Sequence, residues 1–268
     1  MRPEVPAVGG PAAGAIYDLG YRRYDGPRLG RTAGVLAIYT ASLRAAFGLG
    51  RSGRSKVVPW GLIVIGLVPA MVAIAVRALV GELVSFVDYD SYVWQIGVLP
   101  PLFVAAQAAE LVVNDGRYGV LPLYFSRPIE RLDYVAAKVA ALATAVLGLT
   151  ALPVLVLFIG LVLASADLGQ AVADEAHGLW VAGGSGVLHA AVLSAIALAI
   201  ASYAGRRAYA VGAVIALFLV TGAVGGVLGE IEGGAFDAIG ALANPMAVLD
   251  GTRQWLFGGV NADSPVVS

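Results

Sequence analysis

The chain has 268 residues, 59% hydrophobic and 13% charged, with a formal net charge of −1 and no cysteine. Soluble domains carry roughly 25% charged residues, so lipid is the predicted solvent for most of this chain. A near-neutral balance leaves no basic footprint for nucleic acid, and the lack of cysteine excludes disulfides, thiolate metal sites and cysteine nucleophiles.

Residues 1–30 begin MRPEVPAVGGPAAGA. That Pro/Gly/Ala-rich start predicts a disordered, polar cytoplasmic segment. It lacks the order of a signal peptide, so the first spanning helix is expected to act as an uncleaved insertion signal. In residues 31–56 an apolar stripe of Val35, Leu36, Tyr39, Leu43 and Phe47 opposes Thr40, Arg44 and Arg51. The pattern predicts an amphipathic helix in the membrane interface, followed by a basic linker; packing on a soluble partner is the alternative. Residues 48–53, GLGRSG, match G-x-G-x-x-G. With no strand before it, the motif reads as a basic linker beside anionic headgroups.

Crossing about 30 Å of hydrocarbon takes roughly 20 helical residues. Five segments qualify, 57–80, 92–113, 134–164, 179–203 and 208–229. The prediction is an all-α polytopic membrane helical bundle over 57–229. It has five visible spans, the N-terminal interfacial helix and a short cytoplasmic coupling helix. The third span is over-long, so it should project beyond the bilayer, tilt, or kink near Pro153.

Nine of the seventeen Lys and Arg residues lie in 1–56, four in 114–138 and two at Arg206–Arg207. The alternate connections are acidic, with Glu82, Asp88 and Asp90 in one and Asp167, Asp174 and Glu175 in the next. The positive-inside rule then predicts a plasma-membrane protein with a cytoplasmic N-terminus and a cytoplasmic 114–133 loop. The tail 230–268 falls on the extracytoplasmic side, with 238–259 as an interfacial or re-entrant piece.

Several residues are candidates within that frame. Glu110 and His189 are intramembrane polar groups; Glu110 is expected to pair with a cytoplasmic Arg or to reach the interface, and His189 to face the bundle interior. Gly222 with Gly226, and Gly225 with Gly229, are small-residue repeats that suit close packing within the chain or in a dimer, so the fifth span is expected to be buried. His177, Asp174 and Glu175 read as a solvated acidic loop, with a metal site as the alternative. No nucleophile–base set is visible, so no catalytic, cofactor-binding or metal-binding residue is expected.

The loop itself, NDGRYGVLPLYFSRPIERLDYVAAK, mixes Arg117, Arg127, Arg131 and Lys138 with Leu123, Tyr124, Phe125 and Ile129. Ser126 is expected to cap a short helix with Arg127 and Pro128 in its first turn and Glu130 near its positive end. Exposed apolar side chains ringed by charge suggest a partner surface; lying on the bilayer surface is the alternative.

The string LPLYFSRPIERLDYVAAK resembles the cytoplasmic loop of type-two ABC exporter permeases, and YDLGYRRYDGPRLGR at 17–31 is similar to the start of many such permeases. The resemblance implies a permease homodimer or heterodimer docked on cytoplasmic ATPase subunits. ATP and Mg would be bound by that partner and not by this chain. It implies that Leu123, Tyr124, Phe125, Ser126, Arg127, Pro128, Ile129, Glu130 and Arg131 contact the ATPase. Family permeases usually have six spans; here the tail around Asn244–Pro245 looks like the outer segment that precedes a sixth. The implied function is ATP-coupled export, with a non-transport membrane anchor as the alternative.

Overall fold

The structure, a computed structural model, describes residues 26, 30–80, 89–165, 167–229 and 234–256. Most of 1–29, the acidic connection 81–88, and residues 230–233 and 257–268 therefore lie outside it, and with them the N-terminal part of the resemblance.

No strand occurs among the described residues. The helices are α1 (Arg31–Ala46), α2 (Gly53–Val80), α3 (Tyr89–Ile96), α4 (Leu99–Ala108), α5 (Asn114–Arg117), α6 (Leu121–Phe125), α7 (Arg131–Leu163), α8 (Leu168–Tyr203), α9 (Arg207–Gly229), α10 (Gly234–Ala243) and α11 (Pro245–Leu256). A π-helical turn, Ala109–Val113, joins α4 to α5. Five stretches are long and apolar enough to cross a membrane: Gly53–Leu79, Ser91–Arg117, Arg131–Leu163, Leu168–Tyr203 and Arg207–Gly229. The chain is an all-α bundle with the length and composition of a multi-pass membrane protein. One end carries α1, α5, α6 and the α8–α9 turn and is basic; the other carries α3, α10 and α11.

Helix α7 is the axis, packing on α1, α2 and α8. Its contact face is built on Ala137, Ala141 and Ala145, all buried. Small residues at this spacing let helices approach closely, which in lipid replaces the hydrophobic drive available in water. Larger side chains fill the remaining space, with Phe103, Leu142, Leu149, Leu157 and Leu193 fully buried. Helix α2 runs on through Pro59 and Pro69, and the Tyr92 hydroxyl donates to the Gly66 carbonyl, three residues before Pro69, at 2.9 Å, buried. Such side-chain donors help satisfy backbone groups near a proline in lipid.

Several boundaries differ from expectation. The second span is not one helix. Gly97 follows α3, and Pro100 and Pro101 sit in the first turn of α4, where a missing N–H costs nothing. The fourth span begins at Leu168 rather than near 179, because Asp167 caps it, accepting from the Gly169 and Gln170 amides at 2.9 and 3.2 Å. Asp174, Glu175 and His177 thus lie on a helix, not in a loop. Helix α1 ends at Ala46, where Gly48 adopts φ +66° and Leu49 N–H returns to the Arg44 carbonyl at 2.8 Å. Of its predicted stripe, Val35, Tyr39, Leu43 and Phe47 pack inward while Leu36 points out.

The fifth span corrects a second expectation. It is the least buried of the five, not an interior helix. Gly225 packs on α10, where a Cβ would lie 3.1 Å from the Gly240 carbonyl oxygen. Gly222 and Gly226 face open space, and Gly229 is exposed. The tail supplies that packing. Helix α10 has ten residues, too short to cross at 1.5 Å per residue, and it folds back on the end of α9.

Candidate functional site

At the basic end, Gly119 (φ +62°) closes α5, and Val120 N–H reaches the Asp115 carbonyl at 3.2 Å. Helix α6 follows with Pro122 in its first turn. Ser126 ends this helix rather than opening one; its hydroxyl donates to the Leu123 carbonyl at 2.9 Å. Arg127 and Pro128 form a tight turn, with Ile129 N–H on the Arg127 carbonyl at 2.7 Å. Glu130 caps α7 and not a coupling helix. Its amide donates to Asp133 at 3.0 Å, and its side chain accepts from α7's first turn in return. The expected helix thus lies one turn earlier in the chain.

The nine candidate contact residues divide in two. Ile129 is buried and Tyr124 half-buried, in a small cluster with Val35, Ile38, Tyr39, Leu121, Tyr134 and Ala137. Ile129 lies against Gly34 of α1, where a Cβ would meet its Cδ1 at 2.8 Å. Leu123 is 67% and Phe125 40% exposed, and Ser126, Arg127, Pro128, Glu130 and Arg131 are also exposed. The loop therefore presents Leu123, Phe125 and Arg127 outward while Tyr124 and Ile129 anchor it.

Charge fastens the same loop at three points. Arg31 of α1 reaches Glu130 at 2.7 Å and grips both Asp133 oxygens at 2.8 and 2.9 Å. The Asp133 bonds hold the Arg31 guanidinium above its ordinary range. Forked pairs of this kind fix geometry more than they stabilise. Behind the loop, Lys138 is buried, bonding Asp115 and the Leu111 carbonyl of the π turn, both at 2.8 Å. The Tyr134 hydroxyl donates to the same Asp115 carboxylate at 2.9 Å, and the Tyr134 ring lies 5.8 Å from that of Tyr124 and 6.2 Å from that of Phe125. Burial, then the Asp115 charge, pushes the Tyr124 phenol up, so it stays neutral.

Glu110 sits in the π turn with 9% of its side chain exposed. It pairs with Arg51 of the α1–α2 linker and, at 2.9 Å, with Arg207 at the start of α9; Asn114 donates to it at 2.9 Å. One carboxylate thus joins three elements, which realises the expected pairing with Arg. π turns recur at functional sites because they redirect a side chain without breaking the helix.

His189 is half-buried in α8, with Nδ1 2.8 Å from the Ser185 carbonyl. It lines a cavity of about 790 Å³ between α3, α4, α7, α8, α9 and α11. Also at the wall are Asp250 and Arg253 of α11, paired at 2.7 Å. Burial pushes the Asp250 carboxyl up, opposed by the Gln254 amide donating at 3.0 Å. His189 is legible in the sequence as an intramembrane polar group, whereas Asp250 and Arg253 are signalled only by their i, i+3 spacing on an amphipathic helix. Among the described residues no group of three or more His, Asp or Glu side chains stands close enough to hold a metal.

No family model, curated protein or solved structure matches the chain.

Proposed function

We propose that this chain is the membrane subunit of a bacterial ABC exporter, driven by a separate cytoplasmic ATPase subunit that binds ATP and Mg. In this reading the basic end faces the cytoplasm of a plasma-membrane protein, and two permease copies work together. The carrying observation is the exposed surface of Leu123, Phe125 and Arg127 on a turn fastened from behind to α1, α5 and α7. Apolar side chains with a neighbouring Arg are the composition of interface anchors.

The fastening gives the surface a mechanical role. A push on α6 meets the Tyr134 ring through Tyr124 and Phe125. Tyr134 and Lys138 both hold Asp115, so α5 and the start of α7 move together. Arg31 carries the displacement to α1, and Glu110 relates it to α9. Packed elements move as rigid bodies, so a small shift at the loop tilts whole helices.

The test uses a photo-crosslinking residue at position 125 in the full chain, expressed in its native host. An ATP-binding subunit is expected in the crosslink and in affinity-purified material. The double variant Phe125→Ala/Arg127→Glu should lose that partner, while Leu36→Ala, an exposed residue on α1, should keep it. Retention of the partner by the double variant overturns the assigned contact. ATP turnover by the co-reconstituted complex that never responds to any transported compound favours the anchor.

A further inference from the structure

We propose that the cavity between α8 and α11 binds a lipophilic amine: an apolar body of drug size carrying one protonated nitrogen. The inference stands on this chain alone and does not require the ATPase partner.

The volume comes first. About 790 Å³ falls within the 300–1,000 Å³ typical of small-molecule sites. Its walls are mostly apolar, with Trp94, Trp180 and Phe218 the aromatic members. Trp94 and Trp180 are 66% and 79% exposed, so the rim carries two indole rings open to the surroundings. Indole faces attract cations.

The polar pole decides the head group. A carbonyl only accepts, so His189 Nδ1 donates to Ser185 O at 2.8 Å, and the neutral ring leaves Nε2 as an acceptor. The Ser185 hydroxyl donates to the Ala182 carbonyl, and Thr150 to carbonyls of its own helix. Arg253 donates to Asp250 through both Nε and an Nη. Within the ion pair the guanidinium is sealed, with 4% of its side chain exposed, whereas the carboxylate is 38% exposed. Gln254 donates to the second Asp250 oxygen at 3.0 Å. The side-chain donors around His189 and Asp250 are thus committed, the two indole N–H groups stand at the rim, and what this pole still offers is His189 Nε2 and the remaining acceptor capacity of Asp250. A ligand with N–H donors and positive charge meets both. A carboxylate or phosphate head meets the exposed side of a carboxylate and is repelled.

The experiment uses three matched probes of one alkyl length with a dansyl cap, ending in an amine, an alcohol or a carboxylate. The purified full-length chain is held in nanodiscs of zwitterionic lipid, and energy transfer from tryptophan to dansyl reports binding. The amine should bind about tenfold or more tighter than the alcohol, as expected of a charge-assisted hydrogen bond, with the carboxylate weakest. Asp250→Asn should reduce the amine to the level of the alcohol. Because that change leaves Arg253 without its carboxylate, a second variant guards the test. Gly183 lines the cavity and has no neighbour within 4 Å of a built Cβ, so Gly183→Phe fills the space without disturbing the helix and should abolish binding of all three. Equal affinities for the three heads, preference for the carboxylate, or unchanged binding to the Gly183→Phe protein each overturn the proposal.

Discussion

Lys138 is one of the four cations of the 114–138 stretch and sits in the first turns of α7, where a lysine side chain is long enough to reach water. Instead its ammonium is buried between Asp115, the Leu111 carbonyl and the face of Tyr134, 5.4 Å from the ring centroid. Burying two charges is costly, and breaking such a pair is costlier still because it strands the survivor. Lys138→Met should therefore destabilise the protein by about 3 kcal/mol, read as a lowered midpoint of thermal unfolding in detergent. Adding Asp115→Leu should recover most of the loss, since the stranded carboxylate is then gone. A double variant as unstable as the single one would show that packing around Tyr134, rather than charge, sets the cost. None of this was legible in the sequence, because Asp115 and Lys138 are 23 positions apart and meet only through the turn at Gly119 and Ile129.

The elements were legible where length and apolarity alone define them, as in α2, α7 and α9. They were misread where a local signal competed with a stronger neighbour. Ser126 precedes Arg127–Pro128 in the pattern of a helix start, but residues before proline avoid the α region, and Glu130 with Asp133 makes a reciprocal cap at the true start. In α8, acidic residues and Gly178, Gly183 and Gly184 lowered the apparent hydropathy of a stretch that Asp167 had already opened. The glycines of α9 illustrate the remaining gap. Glycines alike in sequence are unlike in space, since Gly225 touches the returning α10, while Gly222 and Gly226 face outward. Gly240→Leu drives a side chain against Leu228 Cβ, 2.7 Å from a built Cβ, and the Gly225 carbonyl. It should cost about 1–3 kcal/mol, the usual range for overpacking. Gly222→Ala and Gly226→Ala should leave thermal stability unchanged or slightly raised. Equal losses from all three would mean that the outward face is packed in the purified protein, and crosslinking would then identify a second copy as the cover.

At the scale of the whole molecule, the fifth span depends on the basic end. Helix α9 buries little of its length, with Ala210 and Val214 its fully buried side chains. Beside them stands the Arg207–Glu110 pair, and Glu110 also holds Arg51. The carboxylate therefore ties the linker before α2 and the start of α9 to the π turn at their centre. Glu110→Gln keeps the shape and removes the charge, leaving two arginines with only an amide to share. Repulsion between them, no longer balanced, should separate the linker from α9. The chain has no cysteine, so spin labels at Ser52→Cys and Arg206→Cys report that separation without background. In the parent protein the distance distribution between the labels should be narrow; with Glu110→Gln it should broaden and shift longer, while Glu110→Asp should fall between the two. High salt screens exposed arginines but reaches a buried carboxylate poorly, so raising the ionic strength should narrow the Glu110→Gln distribution more than the parent's. A distribution unmoved by Glu110→Gln would place the hold on α9 in Ala210 and Val214, and would remove the route we propose for motion from α6 to the fifth span.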